Sequence, residues 1–281
     1  MRLPSLRPVV GLLSLVVTAV VAATGSSGSV AVAGRAAGCG GVTVVLVHGA
    51  WADASSWSGE VSRLQGAGCA VRAIANPVED LTTDAAYVAD FLRSVPAPVV
   101  LVGHSYGGSV ITNAAALVSN VKGLVYVDAA APAVGETTGA LSGSGSVLST
   151  MPAERLYDMT ASPGAGARSG RSELYLKEDV FTGHFASDLP KAQARLLWAS
   201  QRGASSAAFD TPSRFAAWQK IPSWYFISSN DEIITARSEL AMAGRARSRV
   251  TLFHGGSHLT LVSHPQAVTD VVFNAVRAVR R

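Results

Sequence analysis

Three residues on separate segments of the chain have the types that covalent hydrolysis requires. Ser105 is the centre of the sequence GHSYG, a G-x-S-x-G pattern that follows an apolar run at 99–102. In this pattern a sharp turn from strand to helix exposes a serine hydroxyl above the edge of a sheet. Side chains at Gly103 and Gly107 would collide with neighbouring backbone, which explains both glycines. A serine hydroxyl is a weak nucleophile, so the pattern predicts a base nearby.

A carboxylate and a histidine follow later predicted strands, in the order that this motif expects. Asp231 comes after a predicted strand at 223–227, and His258 after one at 249–253. Loops at the carboxyl ends of parallel strands meet at one edge of a sheet, where such proteins place their sites. We therefore expect Ser105 to attack a carbonyl carbon, His258 to transfer the proton, and Asp231 to orient the imidazole.

Other acids and histidines leave alternatives to this assignment. Asp128 also ends a predicted strand and is an alternative acid, and Glu232 is a weaker one beside Asp231. His264 precedes a proline at a predicted helix start, which suits helix capping. His184 has no evident role. The remaining histidines, interpreted as supports for backbone structure, are His48, His104 and His254.

Two backbone N–H groups are candidates for an oxyanion hole, which needs converging donors. The N–H of Tyr106 directly follows the nucleophile, and that of Ala50 lies in the turn HGAW after the first predicted strand. Trp51, Tyr106 and Trp198 are candidates to line a substrate pocket, although aromatic residues pack into the core at least as often. No cluster of metal-binding residues has ligand spacing, and no glycine-rich nucleotide motif is present. We therefore predict no metal and no cofactor.

The order of predicted elements indicates an α/β fold. Strands and helices alternate over 42–130 and 221–281, which predicts right-handed βαβ units and a parallel sheet. The intervening segment, 131–220, is rich in glycine, serine and alanine near 139–150 and 161–172 and has no convincing strand. We interpret it as a mostly helical cap over the site.

The N-terminus has the pattern of an export signal. Two arginines precede an apolar stretch at 9–23, and small residues follow, so 1–33 is predicted to be a signal peptide. An uncleaved anchor is the alternative, although the apolar stretch is shorter than the ~20 residues of a membrane span. The formal net charge is +4 without a lysine-rich tract, which argues against a nucleic-acid partner. We expect an exported protein with no stable membrane insertion after cleavage.

The chain has two cysteines, each just before a predicted strand. Cys39 precedes the strand at 42–47, and Cys69 precedes the strand at 70–75. Adjacent strands lie about 4.8 Å apart, within reach of disulfide geometry. We therefore predict a disulfide between Cys39 and Cys69 in an oxidising compartment. An alternative makes Cys39 a lipidated first residue, because the preceding residues loosely resemble a lipobox.

Several motifs together resemble those of one superfamily. They are LVHGAW at 46–51, GHSYGG at 103–108, IPSWY at 221–225 with NDE at 230–232, GSH at 256–258 and SHP at 263–265. From about residue 42 onward the chain resembles the α/β-hydrolase superfamily, and within it the small cofactor-free branch of bacterial esterases, plant methyl-ester esterases and hydroxynitrile lyases. The resemblance implies a mostly parallel sheet flanked by helices, with the cap inserted after the sixth strand of the family's order.

The resemblance also separates possible reactions. Haloalkane dehalogenases and epoxide hydrolases carry aspartate where this chain has Ser105. Hydroxynitrile lyases of this branch carry lysine directly after the catalytic histidine, where this chain has Leu259. The expected function is therefore hydrolysis of a small carboxylic ester or lactone through an acyl-enzyme. A non-catalytic ligand-binding protein on a hydrolase scaffold and a lyase are the alternatives, and perhydrolysis would use the same three residues.

Overall fold

The computed structural model describes residues 38–96, 98–161 and 172–280. The predicted signal peptide, 1–33, lies outside the described residues. Within the described ranges, no helix has both the length and the apolar character needed to cross a membrane.

In the described residues, nine strands form two sheets. In chain order they are β1 (Thr43–Val47), β2 (Ala70–Ile74), β3 (Val99–Ser105), β4 (Val121–Ala129), β5 (Tyr157–Ala161), β6 (Ser172–Leu176), β7 (Ala204–Ser205), β8 (Ser223–Ser228) and β9 (Arg249–Phe253). Six of them form the main sheet, in the order β2-β1-β3-β4-β8-β9. Every pairing in this sheet is parallel, so the carboxyl ends of its strands meet at one edge.

Most helices are short, and the longest flank the main sheet. The α-helices are α1 (Ser58–Gly66), α2 (Leu81–Arg93), α3 (Tyr106–Ala114), α4 (Val147–Thr150), α5 (Ala153–Leu156), α6 (Glu178–Val180), α7 (Lys191–Ala199), α8 (Ser206–Asp210), α9 (Ala236–Arg245), α10 (Thr260–Ser263) and α11 (Pro265–Val279). Single 3₁₀ turns cover Ala54–Trp57, Ala115–Leu117, Gly139–Ser142 and Ala217–Gln219. A π-helical turn, Phe181–Phe185, continues α6.

The central strands are buried along their whole length. All residues of β1 and β3 are buried, and both are rich in valine, as expected for strands covered on both faces. Helix α11 packs on β3, β4 and β8, whereas α2 packs against α3, which contacts β1, β3 and β4. The predicted α/β-hydrolase architecture, a parallel sheet flanked by helices, is confirmed.

The segment between β4 and β8 is only partly as expected. Short helices predominate, but β5, β6 and β7 form an antiparallel three-stranded sheet, so the expectation of no strand there was wrong. The pattern was hard to detect because most of β5 is exposed and lacks a buried apolar face. We refer to 131–220 as the cap.

The two cysteines form a disulfide. Cys39 and Cys69 precede β1 and β2, which pair in parallel with Thr43 opposite Ala70. Their Cα atoms lie 4.8 Å apart, and the bridge closes a loop with a sequence separation of 30. The predicted pairing is confirmed.

Candidate active site

Ser105 lies at a strained turn between β3 and α3. Its φ is 54° and its ψ is −125°, a backbone conformation that residues other than glycine rarely adopt. A Cβ on Gly103 would lie 2.5 Å from the carbonyl oxygen of Gly107, and a Cβ on Gly107 would lie 2.5 Å from that of Val47. The prediction that neighbouring backbone requires both glycines is confirmed.

Backbone strain is concentrated at the edge of the sheet that carries Ser105. Five described non-glycine residues have positive φ, and three of them are Trp51, Ser105 and Asp128, with φ of 58°, 54° and 44°. These residues lie at or just beyond the carboxyl ends of β1, β3 and β4, which are neighbours in the sheet. Such strain persists only where surrounding structure enforces it, and it is common at functional sites.

His258 and Asp231 form a buried pair at the same edge. Nδ1 of His258 lies 2.6 Å from Oδ2 of Asp231, and both side chains are fully buried. The other oxygen of Asp231 accepts hydrogen bonds from the N–H groups of Ile233, at 2.7 Å, and Ile234, at 3.0 Å. Backbone donors therefore fix the carboxylate with one oxygen toward the imidazole.

The alternative acids make other contacts. Asp128 accepts from the Ser228 N–H at 2.7 Å and from the Ser228 hydroxyl at 2.9 Å, and thus faces β8. Glu232 pairs with His184 of the cap. The carboxylate that contacts His258 is that of Asp231.

Burial sets the protonation of the base. It lowers the pKa of His258 to about 3, so the imidazole is neutral at pH 7. Burial raises the pKa of Asp231, while its two backbone donors lower it. With Nδ1–H donated to Asp231, Nε2 is an acceptor. Nε2 is buried, and no described residue is hydrogen-bonded to it, Ser105 included. Contacts between nucleophile and base often form fully only in substrate complexes.

His104 connects the turn that carries Ser105 to the loop that carries His258. Its Nε2–H donates to the His258 carbonyl at 2.8 Å, and the two ring centroids are 4.8 Å apart. Burial lowers the pKa of His104, which is consistent with a neutral donor. Since His104 directly precedes Ser105, this bond connects the backbone of His258 to the turn that carries Ser105.

His48 supports the turn that contains Ala50. Its Nδ1–H donates to the Gly49 carbonyl at 2.8 Å, and its Nε2 accepts from the Asn76 N–H at 2.9 Å. A Cβ on Gly49 would lie 2.5 Å from the Cβ of Ser105, so this turn passes directly beside the nucleophile. His48 and His104 thus make the backbone contacts expected from the sequence.

The two candidate oxyanion donors are buried. Ala50 and Tyr106 are fully buried, and within the described ranges neither backbone N–H donates to an acceptor. The side chain of Tyr106 points toward α2, where its hydroxyl donates to Asp84 at 2.7 Å. Burial raises the pKa of that carboxyl to about 6. The phenol therefore ties α3 to α2, which the interpretation of Tyr106 as a pocket residue did not anticipate.

Trp51 and Trp198 both hold the cap strand β6. The indole N–H of Trp51 donates to the Leu174 carbonyl, and that of Trp198 to the Leu176 carbonyl, each at 3.0 Å. Trp51 is also the centre of an aromatic cluster. Its ring lies 5.8 Å from that of Tyr157, 5.9 Å from that of Phe185 and 5.3 Å from that of Phe209.

The cap contacts the loop of the base through its π-helical turn. The carbonyl of Phe185 accepts from the Leu259 N–H at 3.2 Å, and its ring centroid lies 5.0 Å from that of His258. Nearby, Asp188 accepts from the hydroxyls of Ser257 and Ser263. Sequence analysis did not identify these residues, although π-helical turns often occur at functional sites.

His264, expected to cap a helix, follows His258 in the same segment. His264 occupies the N-cap position of α11, as expected, but its side chain makes no capping hydrogen bond. Its Nε2 lies 3.9 Å from Asp188, because the loop turns this ring toward the cap.

The cap also holds the loop of the acid. The Val147 N–H donates to the Glu232 carbonyl at 2.9 Å, and the Ser146 hydroxyl donates to the Ile233 carbonyl at 2.7 Å. His184, which had no evident role in the sequence, bonds to the Glu232 carboxylate. The cap therefore positions both loops that carry the buried His258–Asp231 pair.

Comparison with known proteins assigns the family. The pattern described as Alpha/beta hydrolase family matches residues 44–271. The chain belongs to the α/β-hydrolase family. A search of curated proteins found no match. The resemblance noted from the sequence motifs is thereby confirmed.

Solved structures with the same fold include three hydrolases of about 20% identity. An extracellular α/β-hydrolase from a Paenibacillus species, described as homologous to tobacco salicylic acid binding protein 2, has 22% identity and a TM-score of 0.65 over 83% of this chain and 98% of its own. A methylesterase from Arabidopsis has 20% identity and a TM-score of 0.67, covering 84% and 99%. A pyrethroid hydrolase from Sphingobium faniae has 21% identity and a TM-score of 0.66, covering 84% and 98%.

The candidate site of this α/β-hydrolase is buried, since Ser105, Asp231 and His258 are all buried residues. A cavity of about 30 Å³ lies beside it, lined in part by Trp51, Phe181 and Leu259. This volume accommodates about one water molecule. Grooves of about 520 to 570 Å³ occur elsewhere on the described surface, without Ser105, Asp231 or His258 in their linings.

Three buried carboxyl groups of the α/β-hydrolase lie together behind the imidazole. One oxygen each of Asp128, Asp231 and Glu239 lies within 4.8 Å of the other two. Sequence spacing could not reveal this group, since its members come from β4, the loop after β8, and α9. One oxygen of Asp128 and one of Asp231 already accept backbone N–H donors.

Proposed function

We propose that this α/β-hydrolase is an exported serine hydrolase that cleaves a small carboxylic ester or lactone through an acyl-enzyme. The observation that carries the proposal is the buried contact of 2.6 Å between His258 and Asp231, in a loop that bonds to His104, the residue before Ser105. A neutral imidazole with a free Nε2, next to a serine at a strained turn, is the arrangement needed to activate a hydroxyl.

The reaction would proceed in two halves. Ser105 Oγ attacks the carbonyl carbon while its proton passes to Nε2 of His258, and Asp231 stabilises the imidazolium. The oxyanion accepts hydrogen bonds from the N–H groups of Ala50 and Tyr106. Its collapse expels the alcohol, which takes the proton from His258. Water then attacks the acyl-serine with the same base, which releases the acid and restores Ser105.

Three further observations support parts of this proposal. The methylesterase and the pyrethroid hydrolase that share the fold are hydrolases by name, which favours hydrolysis as the reaction class. The Cys39–Cys69 disulfide fits an oxidising compartment, in line with an exported protein. Trp51 follows the Ala50 donor and lines the small cavity, so it is a better candidate for substrate contact than Trp198.

The proposal is tested with purified mature protein on short-chain p-nitrophenyl esters and a panel of lactones. Ser105→Ala should abolish turnover while the circular dichroism spectrum and Tm stay unchanged. Ser109→Ala is the matched control, because Ser109 lies one turn further along α3, where its hydroxyl accepts a hydrogen bond from Thr138. Equal activity in Ser105→Ala and the wild type would overturn the proposal. Binding of esters without turnover or serine labelling would favour the non-catalytic alternative.

A further inference from the structure

Glu239 is a buried carboxyl group that the proposed reaction does not use. It lies on α9 and is fully buried, and neither of its oxygens has a hydrogen-bond partner among the described residues. A buried carboxylate without donors costs far more free energy than a buried neutral acid. Burial therefore favours the protonated form of Glu239, whose O–H requires an acceptor.

Two carboxylates that could accept this O–H lie nearby. One oxygen of Glu239 is within 4.8 Å of oxygens of Asp128 and Asp231. Asp128 accepts from the Ser228 N–H, and Asp231 accepts from backbone N–H groups and from Nδ1–H of His258. An ionised carboxylate makes such bonds. Because a carboxylate has about four lone-pair sites, Asp128 and Asp231 can each accept a further hydrogen bond.

No group facing Glu239 in the described structure carries a positive charge that would stabilise its ionised carboxylate. Burial raises the pKa of Glu239, as do Asp128 on β4 and Asp231 after β8, whereas the nearby Ala129 backbone, which makes no hydrogen bond of ordinary geometry to it, lowers that pKa. Tyr225 on β8 is neutral, and its hydroxyl bonds to the Ala129 carbonyl. A third negative charge at this position would repel the two carboxylates already present.

We propose that Glu239 is a positioning residue, held as a neutral carboxylic acid that shares its O–H with the carboxylates of Asp128 and Asp231. The proton on Glu239 keeps Asp231 ionised and turned toward His258. The effect on rate rests on the proposed hydrolase function, whereas the protonation of Glu239 does not. At alkaline pH, ionisation of Glu239 would repel Asp231 and lower the rate.

Kinetics of two variants at one position test the role in positioning. Glu239→Gln retains a neutral hydrogen-bond donor, so kcat at neutral pH should stay within about threefold of wild type, and the alkaline loss of activity should disappear. Glu239→Ala removes the donor and should lower kcat about 10-fold without changing KM, as expected for loss of one hydrogen bond to a charged group. Equal kcat losses in both variants, or an unchanged alkaline limb in Glu239→Gln, would overturn the proposal.

Glu60 provides the matched control. It is also a fully buried glutamate whose oxygens have no partner among the described residues, but it lies on α1, outside the carboxyl group cluster. Glu60→Gln should leave the pH profile of kcat as in the wild type. A profile that changes equally in both glutamine variants would mean that the effect is not specific to Glu239.

Infrared spectroscopy tests the protonation without any substrate. In a Glu60→Gln background at pH 7, the C=O band of a protonated carboxyl should include a part that shifts on ¹³C-glutamate labelling, and that part should vanish when Glu239→Gln is added. Absence of the ¹³C-sensitive part in the Glu60→Gln protein, or its persistence in the double variant, overturns the inference. If the band behaves as expected but no ester is cleaved, the proposed function fails and the protonation of Glu239 stands.

Discussion

Asp231→Asn is the substitution for which the structure gives the sharpest expectation. Oδ1 of Asp231 accepts two backbone N–H bonds, from Ile233 and Ile234, so an asparagine must place its carbonyl oxygen there. Its NH₂ group then faces Nδ1 of His258, 2.6 Å from the present carboxylate oxygen. A donor at that position forces the imidazole proton onto Nε2, which can no longer accept a proton from Ser105.

The expected loss is large and confined to turnover. Asparagine in place of the triad aspartate lowers kcat about 10⁴-fold in serine proteases, and the same tautomer argument applies here. At 1.36 kcal/mol for each factor of ten, this corresponds to about 5 kcal/mol of activation free energy. KM should change little, because Asp231 is fully buried behind the imidazole.

Asp128→Asn is the control for this experiment. Asp128 bonds to Ser228 and not to His258, so we expect less than a tenfold change in kcat. Both variants are assayed with saturating p-nitrophenyl ester at pH 7, and the Tm of each verifies folding. If Asp128→Asn shows the larger kcat loss, Asp128 is the catalytic acid and the reasoning is refuted.

Three further changes test other parts of the structure. Burial raises the pKa of Glu60 from 4.5 to about 8, so the folded state binds more protons than the unfolded state in this pH interval. The free energy of unfolding should therefore fall by an amount on the order of 5 kcal/mol as pH rises through the interval. Urea unfolding across pH should show that fall in the wild type and a flatter dependence in Glu60→Gln. Replacing Cys39 and Cys69 by serine should lower the free energy of unfolding by up to ~4 kcal/mol, given the loop that the bridge closes; unchanged urea midpoints would contradict this. His104→Phe removes the donor to the His258 carbonyl and should lower kcat about tenfold; wild-type kcat would show that the bond does not position the base.

The sheet and the positions of the proposed triad were predictable because their signals are local. β1 and β3 are continuous apolar runs, which only strands buried on both faces tolerate. Ser105 is marked by the glycines that its turn requires. Asp231 and His258 follow strands whose carboxyl ends must meet at one edge in a parallel sheet.

The contacts behind and above the triad were not predictable from local signals. β5 is mostly exposed, so its sequence lacks the alternation that marks a strand packed on a core. A glutamate in a polar helix is usually solvated, yet the packing of α9 buries Glu239 completely. Asp188 and Phe185 reach the loop of His258 only through the tertiary placement of the cap.

The most direct test of the central claim is the mass of the protein after reaction with a fluorophosphonate. An activated serine should give one adduct, mapped by peptide mass to Ser105, which should be absent in Ser105→Ala and much slower to form in Asp231→Asn. No adduct on folded wild-type protein, or an adduct on another serine, would contradict the assignment of Ser105 as the nucleophile.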